Sequence, residues 1–87
     1  MPPRVRLTTE ESERLPALLS RVAARRHGFP ADADASVQAS WIAERYADEA
    51  PLTTNLITLL LFEHGVHRSV DQVARDLAIL RGETDHV

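Results

Sequence analysis

Chemistry in this chain has to come from histidines, carboxylates and arginines, because the sequence contains no cysteine. That removes disulfides, thiolate metal sites and thiol nucleophiles together. His64 and His67 flank Gly65 and Val66, with Glu63 adjacent and His86 farther on, and imidazoles beside a carboxylate are competent metal ligands. A glycine between two histidines ends a helix rather than carrying both rings on one face, so no metal and no other cofactor is expected. Glu44 and Asp48 are one helical turn apart, as are Arg45 and Glu49, but the same spacing describes solvated charges on a helix. No serine-histidine-acid arrangement, Gly-rich phosphate cradle or nucleophile elbow accompanies them.

The arginines are the other chemically capable group. All ten basic residues are arginine, and residues 1–28 hold six of them against three acids, whereas residues 29–87 hold four against ten. The two halves carry opposite charge and are expected to attract each other. Arg21 and Arg25 are four apart, Arg26 follows, and Arg14 precedes Arg21 by two turns, a spacing that lines guanidinium groups along one helical ridge. Arg21, Arg25 and Arg26, with Arg4 and Arg6 upstream, are therefore the candidate nucleic-acid contacts. Glu10, Glu11 and Glu13 dilute that charge, and no aromatic platform accompanies it as single-strand binding would require. Arginines from several helices (Arg21, Arg25, Arg45 and Arg75) converging on an anionic substrate would instead make a small helical enzyme or an enzyme accessory subunit.

These residues must be positioned by helices. Met1 to Leu7 read as a flexible or extended arm, with Pro2 and Pro3 resisting helix. Thr8 with Glu11 three places on forms a capping box that opens the first predicted helix. Pro16 is expected to end or kink it near Leu15 before the stripe Leu15, Leu18, Leu19, Val22 and Ala23 runs on to Gly28. Phe29 to Ala35 is a linker. Asp34 or Ser36 caps a second helix, in which Val37, Trp41 and Arg45 share one line and Ile42 and Tyr46 an adjacent one, closed by Pro51 near Glu49. Thr53, Thr54 or Asn55 caps a third through Phe62, ended by Gly65; Leu56, Ile57, Leu59, Leu60, Leu61 and Phe62 leave little of its surface polar. Ser69 with Gln72 caps a fourth through Val73, Leu77 and Leu80 to Gly82, and residues 83–87 form a frayed tail.

The segment from Leu59 to Ile79, an apolar helix ending in Glu63-His64-Gly65 and then Ser69-Val70-Asp71-Gln72-Val73-Ala74-Arg75-Asp76-Leu77, resembles the first two helices of bacterial helix-turn-helix and winged-helix regulators. The resemblance implies a nucleic-acid-binding regulatory protein whose next helix would enter the major groove. After that point the sequence offers only Arg81, Gly82 and a short tail in which two of five residues are acidic, the wrong sign for a phosphate-facing element.

Length and pattern together predict one all-α domain over residues 1–87, a small bundle of three to four short helices with Trp41, Leu60, Leu61, Val73 and Leu77 buried. The longest apolar run is too short to span a bilayer and the amino terminus does not read as a signal peptide, so a cytoplasmic protein is expected. The surplus of apolar side chains on the third predicted helix points to a non-catalytic module that pairs with itself as a homodimer or docks on another helical protein, and away from a membrane. Trp41, Tyr46, Leu56, Leu59 and Phe62 are the expected interaction residues, because aromatic side chains bury much area at modest entropic cost.

Overall fold

The structure, a computed structural model, describes residues 4–48 and 50–81, with side chains through Ile79. It is all-α: no strand occurs among the described residues, and five α-helices, α1 (Thr9–Leu19), α2 (Val22–Arg25), α3 (Ala35–Tyr46), α4 (Thr54–Glu63) and α5 (Val70–Arg81), follow one another. A 3₁₀ turn over Arg26–Gly28 extends α2. The bundle therefore has more helices than the three to four expected, because the first predicted helix is divided.

The division does not fall at Pro16. α1 begins on the reciprocal Thr8 and Glu11 capping box and continues through the proline to Leu19. Ser12 and Pro16 are both exposed, so the Ser12 carbonyl that loses its helical partner lies on the solvent side, where water can replace the bond. The break comes at Ser20, whose hydroxyl donates to the Ala17 carbonyl at 2.6 Å and whose backbone amide caps the turn. Arg21 then redirects the chain so that Val22, only 4% exposed, reaches the core beside Leu18.

α3 starts at Asp34, which makes no side-chain capping bond, and ends at Tyr46 rather than near Glu49, Ala47 leaving helical geometry. Thr53 caps α4 by accepting from the Leu56 amide. Its other end is a Schellman turn: Gly65 takes φ +90°, its amide donates to the Phe62 carbonyl, and the Val66 amide donates to that of Leu61, each at 2.9 Å. Val66 then packs against the core. α5 opens on the expected box, with the Ser69 amide donating to Gln72 Oε1 and the Gln72 amide to Ser69 Oγ. The start of the arm at residues 1–3, Glu49, the expected terminator Gly82 and the frayed tail 83–87 lie outside the described residues.

α3 packs on both α4 and α5, these two pack on each other, and α1 lies against α4. The core holds Leu18 and Val22 from the first segment, Ala39, Ile42 and Tyr46 from α3, Leu56, Ile57, Leu60 and Leu61 from α4, and Val73 and Leu77 from α5. α4 is the central helix, surrounded on three sides. No helix among the described residues is long and apolar enough to cross a membrane.

Candidate functional site

Central placement of α4 separates the five expected interaction residues. Leu56 and Tyr46 are both 0% exposed and belong to the core, so neither can meet a partner while the domain is folded. Leu59 and Phe62 are half-buried, the Phe62 ring lying 4.9 Å from that of His67. The apolar surplus expected on this helix is thus largely covered by α1, α3 and α5. Trp41 alone of the five sits on the outer side of α3, half-buried and packed against the core. Val37, one turn earlier, is 43% exposed, and together with Ser40 and Glu44 these residues line a shallow cleft of about 230 Å³. The Arg45 guanidinium lies 5.6 Å from the Trp41 ring centroid. The line Val37, Trp41 and Arg45 was readable as a helical stripe; that its first residue would be left open to solvent depended on how α3 turns against α4 and α5.

The inner side of Trp41 faces an aromatic cluster. Phe29 meets it edge to face at 5.4 Å, and His64 does so at 5.7 Å. His64 is stacked on Phe29 with 4.7 Å between ring centroids, and its Nε2 shares a hydrogen bond of 2.8 Å with the Tyr46 hydroxyl. His64 is also the cap of α4, where its backbone amide donates to the last turn. The other ring nitrogen, Nδ1, is enclosed and has no hydrogen-bond partner among the described residues. Burial pushes the imidazole below its usual pKa of 6.5, the Arg26 guanidinium adds to the effect and Glu63 opposes it. Burial likewise raises the Tyr46 phenol, against the pull of Arg25, Arg26 and Arg21. The signal for this cluster in the sequence was a histidine directly before the glycine that ends an apolar helix; its aromatic partners come from two other segments.

Arg21, Arg25 and Arg26 do gather at one corner, yet two of them act as ties. Arg21 is ion-paired with Asp48, which joins the basic first segment to the acidic remainder as the charge distribution anticipated. Arg25 lies over the Tyr46 ring at 5.1 Å from its centroid. Arg14 donates to the carbonyls of Ala50 and Pro51 at 3.1 and 3.2 Å, holding the loop before α4 against α1. A small cleft of about 210 Å³ remains between Arg14, Arg21, Leu18 and Asp48, but the Tyr46 side chain at its base is closed off from solvent.

The other chemical candidates are not brought together. His64 bonds Tyr46 while His67 lies against Phe62, and no group of three His, Cys, Asp or Glu side chains able to hold a metal occurs among the described residues. Ser40 donates to Glu44 at 3.3 Å, and Asp48 is committed to Arg21. Arg45 is stacked on Trp41 and Arg75 is exposed on α5, so the four arginines considered for an anionic substrate do not share one pocket. No family model, curated protein or solved structure matches this chain.

Proposed function

We propose that the chain is a non-catalytic, cytoplasmic helical interaction module that pairs with a second copy or docks another helical protein along the outer side of α3. The observation that carries this reading is the pair Val37 and Trp41, one turn apart: an exposed aliphatic residue beside the only tryptophan, itself not fully covered by the fold. A tryptophan seated by an arginine in a shallow cleft beside an exposed valine is the kind of residue that dominates protein interfaces. Anchors at i and i+4 suit a helix laid against a groove or another helix.

The engagement of Arg21 and Arg25 within the fold supports ranking this reading above nucleic-acid binding, since paired or stacked guanidinium groups have less to offer a phosphate. The dispersal of the remaining polar candidates supports ranking it above enzymatic activity. A photo-crosslinking residue at position 37, with one at the exposed Asp71 as control, tests it in cells producing the chain. An adduct from position 37 at twice the chain mass identifies a homodimer, and one of another mass a helical partner to be sequenced. Absence of any adduct specific to position 37 refutes the proposal.

A further inference from the structure

The residues Arg26–Phe29 form a strap over the aromatic cluster, anchored at both ends. On one side Val22 is locked in the core. On the other, the buried Gln38 amide donates to the carbonyls of Pro30 and Ala31 at 3.1 and 3.2 Å. Between the anchors, Phe29 stacks on His64, and Gly28 passes beside Trp41, where an added Cβ would be in ordinary contact with the indole at 3.5 Å. The strap closes on His64, an enclosed imidazole whose charge can change near neutral pH, while the strap's own histidine, His27, is exposed.

We infer that His64 is an acid-operated release for this strap, protonation of its ring lifting Arg26–Phe29 away from α3 and α4 and uncovering Trp41. The argument begins with hydrogen bonding. The neutral imidazole shares a bond with the Tyr46 hydroxyl at Nε2 and leaves its enclosed Nδ1 without a partner; the imidazolium is a donor at both nitrogens, and Nδ1 then holds a charged N–H with no acceptor to meet. Leaving a buried charged donor unpaired is far more costly than leaving a neutral group so. Water can reach Nδ1 only if its cover moves, and Phe29, stacked on the ring, belongs to the strap and to no long helix.

The surrounding charges favour the same outcome. The strap contributes Arg26 and the exposed His27, α2 contributes Arg25 over the Tyr46 ring, and α3 contributes Arg45 over Trp41 on the far side of the cluster. Arg21, beyond Tyr46, is neutralised by Asp48. His67, in the turn after α4, faces Phe62 and not His64. Glu63 is the acid that helps the cation, from an exposed position. The carboxyl end of α4 and the face of Phe29 also attract positive charge, but neither supplies the acceptor that Nδ1 lacks. A new positive charge on His64 therefore repels Arg26 on the strap itself. This release does not depend on whether Trp41 meets a partner.

Because Trp41 is the only tryptophan, its emission reports the strap directly. Lowering the pH from about 8 to about 5 is expected to red-shift that emission and open the indole to acrylamide quenching, with a midpoint below the ordinary histidine value of about 6.5 and no loss of helical circular dichroism. In His64→Gln, which keeps a side chain able to bond Tyr46 but cannot gain a proton, the transition is expected to vanish, while in His27→Gln and in His67→Gln it persists. Phe29→Ala is expected to give red-shifted emission already at neutral pH. If His64→Gln does not fold, the titration of the His64 ring followed by NMR in the unaltered chain must share the midpoint of the emission change. Emission that stays flat while the ring titrates overturns the inference, as does a transition that survives in a folded His64→Gln variant or coincides with the loss of helix.

Discussion

Replacing Glu11 with alanine should loosen two helix starts at once. The carboxylate accepts from the Thr8 amide at 2.8 Å, closing the capping box of α1, and from the hydroxyl of Thr53 and the amide of Asn55 on α4. Thr53 is itself the cap of α4, so the carboxylate aims the hydroxyl proton toward α1 and leaves a lone pair of the same oxygen for the Leu56 amide. Glu11 is only 5% exposed, and little water would compensate for losing these bonds. The capping bond contributes about 1 kcal/mol, and the Thr53 bond to a charged acceptor about 1.5–3 kcal/mol. The Asn55 contact is longer at 3.3 Å and adds little. A loss of about 2.5–4 kcal/mol is a large share of the roughly 4–13 kcal/mol expected for a domain of this length. It corresponds to a fall in Tm of roughly 10–30 °C, measurable by thermal circular dichroism.

A double-mutant cycle with Thr53→Val isolates the bond between the helices, with an expected coupling of about 0.5–3 kcal/mol. The pH dependence has a definite sign. Hydrogen bonds from Thr53 and the Thr8 backbone hold the Glu11 carboxyl below its usual 4.5 in the folded chain. Its contribution is therefore complete above the unfolded value and is lost as pH falls through the depressed folded value. Glu11→Gln should flatten this acid limb. A Glu11→Ala variant within about 0.5 kcal/mol of the unaltered chain, or strict additivity with Thr53→Val, would refute the latch; changes that small are typical of surface substitutions.

Two further substitutions probe the packing and the turn that place these groups. Leu61, 1% exposed at the centre of the core, should cost about 2–5 kcal/mol when cut to alanine, read from urea denaturation midpoints; an unchanged curve would contradict its burial. Gly65→Ala should cost about 1–2 kcal/mol through backbone strain alone, since φ is +90° and nothing lies within 4 Å of an added Cβ. Equal stability of this variant would mean that the turn adopts another conformation.

The local signals were legible because each acts over three or four residues. The capping boxes Thr8 with Glu11 and Ser69 with Gln72, the terminating Gly65 and the apolar run of α4 all appear in the structure where spacing placed them. Of the expected core, Leu60, Leu61, Val73 and Leu77 are buried and Trp41 half so. Of the two outcomes open at Pro16, an ended helix or one that runs on, the structure has the second, because proline's cost depends on whether water can serve the carbonyl it leaves unpaired. The apolar run of α4 left open what covers it, and α1, α3 and α5 enclose most of it: a stripe records how many side chains avoid water, not whether a neighbour or a partner covers them.

The capping boxes of Thr8 with Glu11 and Ser69 with Gln72, the terminating Gly65 and the division into a basic first segment and an acidic remainder follow from the sequence alone, since they depend on neighbouring residues and on charge counts. The tertiary structure decided which side of each helix faced inward. It buried Tyr46 and Leu56 and left Val37 open, and it tied Arg21 and Arg25 to Asp48 and Tyr46. It also assembled Phe29, Trp41, Tyr46 and His64 from three separate segments into one enclosure. Contacts between residues distant in sequence are set by how the helices pack, and a helical stripe is compatible with many such packings.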